Sequence, residues 1–192
     1  MPSTYTTRNG IELIATGEQS GAWGDTTNVN LQIIDRVLSG VGTISLSGTT
    51  HTLTTTDGTL SDGMYKVLVL GGSPSGTNTI TVSPNTAQKL YFVYNNSRQS
   101  AVFTQGSGGN VTVANGDSKI IYADGGGATA AVSDLTANFA MSSVSITGGS
   151  VTGITDLAVA DGGTGASTAA GARTNLDVDQ AGTAVALAIA LG

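Results

Sequence analysis

Val111-Thr112-Val113-Ala114-Asn115-Gly116-Asp117-Ser118-Lys119-Ile120-Ile121-Tyr122 sets two β-prone runs on either side of an Asn-Gly pair. Asn and Gly enter positive φ at the least cost, and a two-residue loop of this kind follows the twist of two antiparallel strands. The segment therefore predicts a β-hairpin and places its surroundings in an all-β domain. Working outward, turn signals recur at Asp57-Gly58, Asp62-Gly63, Ser75-Gly76-Thr77-Asn78, Asn95-Asn96 and residues 106–109. Between them lie strand-like runs at 65–70, 79–82, 90–94 and 101–103. Short strands at such spacing predict a β-sandwich or jelly roll over residues 41–123. Tyr65, Tyr91, Phe92, Tyr94, Phe103 and Tyr122 fall in this segment, which supplies material for a core within one chain.

Residues 1–40 read as an extended arm followed by a helix. Asp25 or Thr26 serves as the expected N-cap, Leu31, Ile34 and Leu38 repeat on one face, and Ile33 and Val37 widen it. Gly40 stands where a helix C-terminal glycine belongs. So broad an apolar face needs a cover, either the next domain of the same chain or two further copies around a trimer axis. The lone tryptophan, Trp23, sits between Gly21 and Gly24, residues that let a backbone approach closely. It reads either as a plug at the foot of the β-domain or as an anchor on another protein, since Trp is enriched at interface hot spots.

From residue 124 to 192 the composition changes. The one aromatic is Phe139, lysine is absent, and Val144, Ile146, Val151, Ile154, Leu157 and Val159 are spread among glycines. That apolar material is too thin to offset about 1–2 kcal/mol of backbone entropy per ordered residue in a monomeric globule. The near-absence of charge favours an intertwined, β-rich trimeric stalk with a short helix, each copy burying its residues against two others, over disorder. In the segment 161–176, Ala169, Ala172 and Leu176 share a helical face, and Ser167 or Thr168 is placed to cap it. Val185, Leu187, Ile189 and Leu191 alternate with alanines, a period-two pattern read here as a strand. Either way, an apolar end of chain needs partner copies to cover it.

Two stretches carry a family resemblance. Asp161-Gly162-Gly163-Thr164-Gly165-Ala166-Ser167-Thr168-Ala169-Ala170-Gly171-Ala172-Arg173-Thr174-Asn175-Leu176 resembles the Gly-Gly-Thr-Gly…Ala-Arg-x-Asn-Leu repeat of bacteriophage tail fibres, which are parallel homotrimers. Asp177 follows where that family usually has Gly, and Asp enters left-handed conformations less easily, so a different turn is expected there. The N-terminal run from Tyr5 to Leu31, most specifically Thr16-Gly17-Glu18-Gln19-Ser20-Gly21-Ala22-Trp23-Gly24-Asp25 and the residues up to Leu31, is similar to the opening of a group of phage virion proteins, many of them tail-fibre-like. In that family the N-terminal part commonly faces the virion and the distal part the host. The resemblance implies virion attachment through residues 1–40, and on the anchor reading of the tryptophan Gly21, Trp23 and Gly24 are the docking positions.

Composition narrows the function classes. Charged residues make up 10% of the 192, against roughly 25% in ordinary soluble domains. The net charge of −6 supplies no basic patch, which argues against nucleic acid. Without cysteine there is neither a disulfide framework nor a Cys-based zinc site. The first residues do not read as a signal peptide, and the apolar run 184–191 is too short to cross a bilayer, which takes about 20 residues; no membrane insertion is expected.

Catalytic readings are weak. His51 is the one histidine and lies in a threonine-rich run, with no Gly-x-Ser-x-Gly elbow in the chain. Gly163-Thr164-Gly165 and Gly125-Gly126-Gly127 lack the third glycine or the lysine of a phosphate loop. Asp156, Asp161, Asp177 and Asp179 do not have calcium-loop spacing, leaving an axial structural ion as a minor option. Glu12 and Glu18, the only glutamates, both lie in the arm, away from any glycosidase-like groove. The sequence is thus read as a non-enzymatic, cofactor-free phage virion protein, made in the bacterial host cytoplasm. Its expected place is the tail as a trimeric fibre or fibre-like part, joined to tail or baseplate proteins and facing a host glycan or protein. A head fibre or capsid-decorating protein is the first alternative, and a glycan-binding or glycan-cleaving tailspike the second.

Overall fold

The structure, a computed structural model, describes residues 2–137, 163–178 and 183–192. Among these residues, eleven strands and three α-helices fall in two compact units, Met1–Ala140 and Met141–Gly192. In the first, β1 (Thr4–Tyr5) pairs antiparallel with β2 (Glu12–Leu13), and α1 (Trp23–Ser39) follows. Nine further strands run from β3 (Val41–Leu46) and β4 (Thr50–Thr54) through β5 (Val67–Gly72), β6 (Asn78–Ser83), β7 (Lys89–Asn95) and β8 (Ala101–Thr104). They finish with β9 (Val111–Val113), β10 (Ser118–Ala123) and β11 (Val132–Asp134). The described chain is mainly β, as expected; β3 to β11 lie in two sheets and β1 with β2 in a third, and the pairing is not that of a jelly roll.

Successive strands cross between the layers. One sheet has the order β11-β10-β7-β5-β3 and the other β4-β6-β8-β9. β3, β5 and β7 are parallel, with Val41 opposite Val67 and Val67 opposite Phe92. β4, β6 and β8 are parallel too, with Thr50 opposite Thr79 and Thr79 opposite Val102. Parallel neighbours require a crossover, and here each crossover is a strand of the opposite sheet. The result is three stacked rungs, closed at one end by antiparallel pairings of β9 on β8, β10 on β7 and β11 on β10.

The Asn115-Gly116 pair shows why a hairpin reading fails. β9 and β10 belong to different sheets, so the pair makes an arch between layers. Gly116 has φ 90° whereas Asn115 is not at positive φ, and the Asp117 N–H donates to the Ala114 carbonyl at 3.1 Å. That is the type II pattern, in contrast to the type I′ turn that would join two antiparallel neighbours. The arch is held by the preceding rung. Gly116 N–H donates to Asn95 O at 2.7 Å, Asn95 N–H to Asp117 O at 3.0 Å, and Arg98 N–H to Asn115 Oδ1 at 2.7 Å.

The core lies between the sheets. Ile44, Leu46, Leu53, Leu68, Leu70, Ile80, Val82, Tyr91, Val93, Phe103, Val113 and Ile121 form one buried cluster, fed by alternation along each strand. Of the six aromatics expected there, Tyr91 and Phe103 are fully enclosed. Tyr91 Oη donates to Gly63 O at 2.8 Å, which satisfies its hydroxyl. Phe92 and Tyr94 point the other way because β7 alternates, and each is 42% exposed. The domain continues past the expected boundary at residue 123. β11 adds to β10 and is fastened by Lys119 Nζ to Asp134 Oδ2 at 2.7 Å.

In the second unit the described elements are helical. α2 (Ala169–Asn175) forms where the sequence placed it, and α3 (Thr183–Ala190) replaces the strand expected over 185–191. Leu and Ala are strong helix formers, and the alternation of large and small residues does not outweigh that preference. Phe139, Val144, Ile146, Val151, Ile154, Leu157 and Val159, on which the stalk reading leaned, lie outside the described residues.

Candidate assembly surfaces

Trp23 opens α1 and is 63% exposed, so it does not plug the β-domain. Gly21 precedes the helix at φ 84°, where glycine is the natural choice. Gly24 is the second helical residue, and a Cβ there would meet nothing within 4 Å. No close approach among the described residues accounts for that glycine. Neither Asp25 nor Thr26 caps the helix: Ala22 is the N-cap residue, without a side-chain hydrogen bond. Asp25 sits in the first turn, where a carboxylate suits the positive end of the helix dipole.

Polar side chains from the N-terminal run fix this corner. Gln19 Nε2 donates to Glu12 Oε1, and the Thr26 hydroxyl donates to Gln19 Oε1. Asn30 brackets the Glu12 backbone, accepting from its N–H at 2.9 Å and donating to its carbonyl at 2.8 Å. Glu18 accepts from the amide and hydroxyl of Ser3 at 2.7 and 2.8 Å. Both glutamates therefore serve as structural acceptors for the arm. Sequence reasoning missed Glu12, Gln19, Thr26 and Asn30 as a set. The visible signal was the four-residue spacing of Thr26 and Asn30, which puts both on one helical face.

α1 packs on the β-domain along one face and leaves another face exposed. Ile33 is buried and Val37 half-buried. Arg36 donates to Ser61 O at 3.2 Å and lies 4.4 Å from the Tyr65 ring centroid. Leu31, Ile34 and Leu38, the expected packing face, are exposed instead. With Trp23 they make an apolar stripe along the helix. Gly40 ends α1 with φ −64° and ψ 132°, not in the left-handed conformation expected of it. Its glycine is required by close approach, since a Cβ would stand 2.4 Å from Arg36 O.

The outer face of the five-stranded sheet is apolar too. Val41, Val67, Phe92 and Ile120 line up across four strands, with Leu90 and Tyr94 exposed beside Phe92. Cross-strand aromatic and β-branched pairs stabilise such a face, but here it remains open.

In the second unit, residues 163–178 make a small closed module. Thr168 Oγ1 accepts from the Gly171 N–H at 3.1 Å, the cap expected from the sequence. The helix end is a Schellman motif. Asp177 N–H donates to Thr174 O at 3.2 Å and Val178 N–H to Arg173 O at 3.0 Å. Asp177 takes the left-handed position at φ 50°, so the turn keeps the geometry a glycine would give it. Asn175 ties the glycine-rich loop to the helix, and a Cβ on Gly171 would press on Ala166 Cβ at 3.0 Å. No residue of α2 is buried. Ala169 and Leu176 are exposed and Ala172 half-buried. On α3, Val185, Leu187 and Ile189 are exposed, Ile189 at 76%, as is Leu191 just past its end. A helix apolar all round ordinarily lies in an interior, and eight residues do not sustain a helix alone in water.

His51 Nε2 contacts Asp62 Oδ2 at 2.9 Å, and Asp62 Oδ1 accepts from Thr54 N–H at 2.9 Å. The pair thus pins β4 to the 3₁₀ turn Asp62–Met64. Among the described residues no three metal-ligating side chains cluster, and no helix is long and apolar enough to cross a membrane. No known family model, curated protein or solved structure matches the chain.

Proposed function

We propose that this chain is a phage virion structural protein, a homotrimeric tail fibre or fibre-like tail component. The carrying observation is the module 163–178. Its loop, cap and Schellman turn are satisfied locally, yet α2 buries no residue, so ordering it calls for other copies to supply the missing core. This fits the tail-fibre repeat that the same residues resemble. The exposed face of α3 and the Leu31, Ile34 and Leu38 stripe are further surfaces for self-association. Trp23, flanked by Gly21 and by the unobstructed Gly24, is the docking point on a neighbouring virion protein.

Light scattering coupled to size exclusion tests the assembly, with three times the chain mass expected and a stable folded monomer overturning it. Labelling the protein in images of intact particles tests the location. Signal on the tail supports this reading, and signal on the capsid replaces it with a head-fibre role.

A further inference from the structure

Against thirteen Asp and Glu the chain has seven Lys and Arg. Three of the seven, Arg8, Lys66 and Lys89, line one cavity of about 170 Å³, and no carboxylate among the described residues lines it. Lys89 opens β7 on its core-facing side and is only 7% exposed. An ammonium has three protons to place. The one protein acceptor of Lys89 among the described residues is Asn9 Oδ1, at 3.0 Å. The ion pairs there are His51–Asp62 and Lys119–Asp134, so Lys89 has no counter-charge among them. A buried cation without one is costly.

Arg8 is exposed and donates from Nε to Gln88 Oε1 at 2.7 Å. Its two terminal nitrogens make no hydrogen bond among the described residues. A second cavity, of about 550 Å³, adjoins the first and shares Arg8, Asn9 and Gln88 with it.

We propose that the smaller cavity binds a small oxyanion, phosphate or carboxylate, between the Lys89 ammonium at its buried end and the Arg8 guanidinium at its mouth. Charge-assisted hydrogen bonds from both cations suit such a group, and a guanidinium fork matches its paired oxygens. The anion supplies the missing counter-charge and two acceptors. Arg8 and Asn9 belong to the connection between β1 and β2, whereas Lys89 belongs to the β-domain. A bound anion therefore clamps the N-terminal arm onto β7. Burial holds the Lys89 ammonium down at about 8, and an adjacent anion moves it back up.

The full chain carrying lysine labelled at Cε is titrated by NMR with inorganic phosphate and, separately, with acetate, against sodium chloride at matched ionic strength. Saturable movement of the Lys89 resonance is expected, with its titration midpoint raised from about 8 towards the ordinary lysine value of about 10. Movement with one anion alone keeps the proposal and names the oxyanion. Arg8→Gln, at an exposed position, is expected to weaken binding about tenfold, and Lys89→Met to abolish the binding seen by calorimetry. A Lys89 resonance that responds to neither anion beyond chloride overturns the site. So does an affinity unchanged in both variants.

Discussion

Asn175 donates through Nδ2 to the Thr164 carbonyl at 2.9 Å, and the same amide reaches Gly165 O at 3.0 Å. One side chain thereby closes the glycine-rich loop onto the helix that follows it. Removing it leaves two loop carbonyls to water. Asn175→Ala is expected to lower local stability by about 1 kcal/mol. Cleavage by trypsin after Arg173 then rises about fivefold, because proteolysis follows the population of the opened form. An unchanged cleavage rate would show that the loop is held by something else.

Trp23 is largely exposed, so truncating it costs the isolated protein little. Trp23→Ala is expected to change stability by less than about 0.5 kcal/mol. As a docking anchor it contributes at least about 2 kcal/mol to one contact, a weakening of some thirtyfold. Melting curves measured beside particle composition separate the two effects. Normal incorporation into particles would end the docking role.

Gly24 gives a sharper version of the same test. It stands in a helix with open space where its Cβ would be, and Gly costs a helix interior about 1 kcal/mol relative to Ala. Near the helix end, Gly24→Ala is expected to raise stability by about 0.5 kcal/mol while reducing incorporation. A more stable protein that docks normally would mean that no partner backbone needs this position.

Lys89 makes stability depend on pH. Its folded value is lowered from 10.5 to about 8, so between those values the unfolded chain binds more protons than the folded one. Stability is therefore least below about pH 8 and rises as pH climbs from about 8 towards 10.5, by about 3 kcal/mol. Lys89→Met is expected to be the more stable protein at pH 7 and to lose that advantage above about pH 10. Chemical denaturation across this range in buffers free of phosphate and carboxylate checks it, and parallel profiles would refute it.

Much of the β-domain was legible residue by residue. The runs at 79–82, 90–94, 101–103 and 111–113 are strands because β-branched and aromatic residues sit between turn formers. Which strands pair was not legible, since Asn-Gly serves a type I′ hairpin and a type II arch alike. Its true role depends on Asn95 and Arg98, brought in from another rung. β3, interrupted by Gly42, and β4, with three threonines and one large apolar residue, gave little local signal, and Lys119 with Asp134 fastens a strand past the apparent end of the domain. At the docking corner, composition located Trp23 but could not orient α1. Ile33 and Leu31 look equally apolar in sequence, and only the fold decides which one meets the β-domain.

The parallel rungs carry a further consequence. Equivalent positions recur 26 and 25 residues apart in one sheet, at Val41, Val67 and Phe92, and each rung touches only its neighbours. Stability in such a stack is close to a one-dimensional sum of unit and nearest-neighbour terms. The β-stack of the first unit is in this sense countable: its height is set by how many turns of chain lie between α1 and the antiparallel strands that finish the stack. Excising or duplicating one turn changes that height by a single strand spacing of about 4.8 Å and leaves both ends as they are.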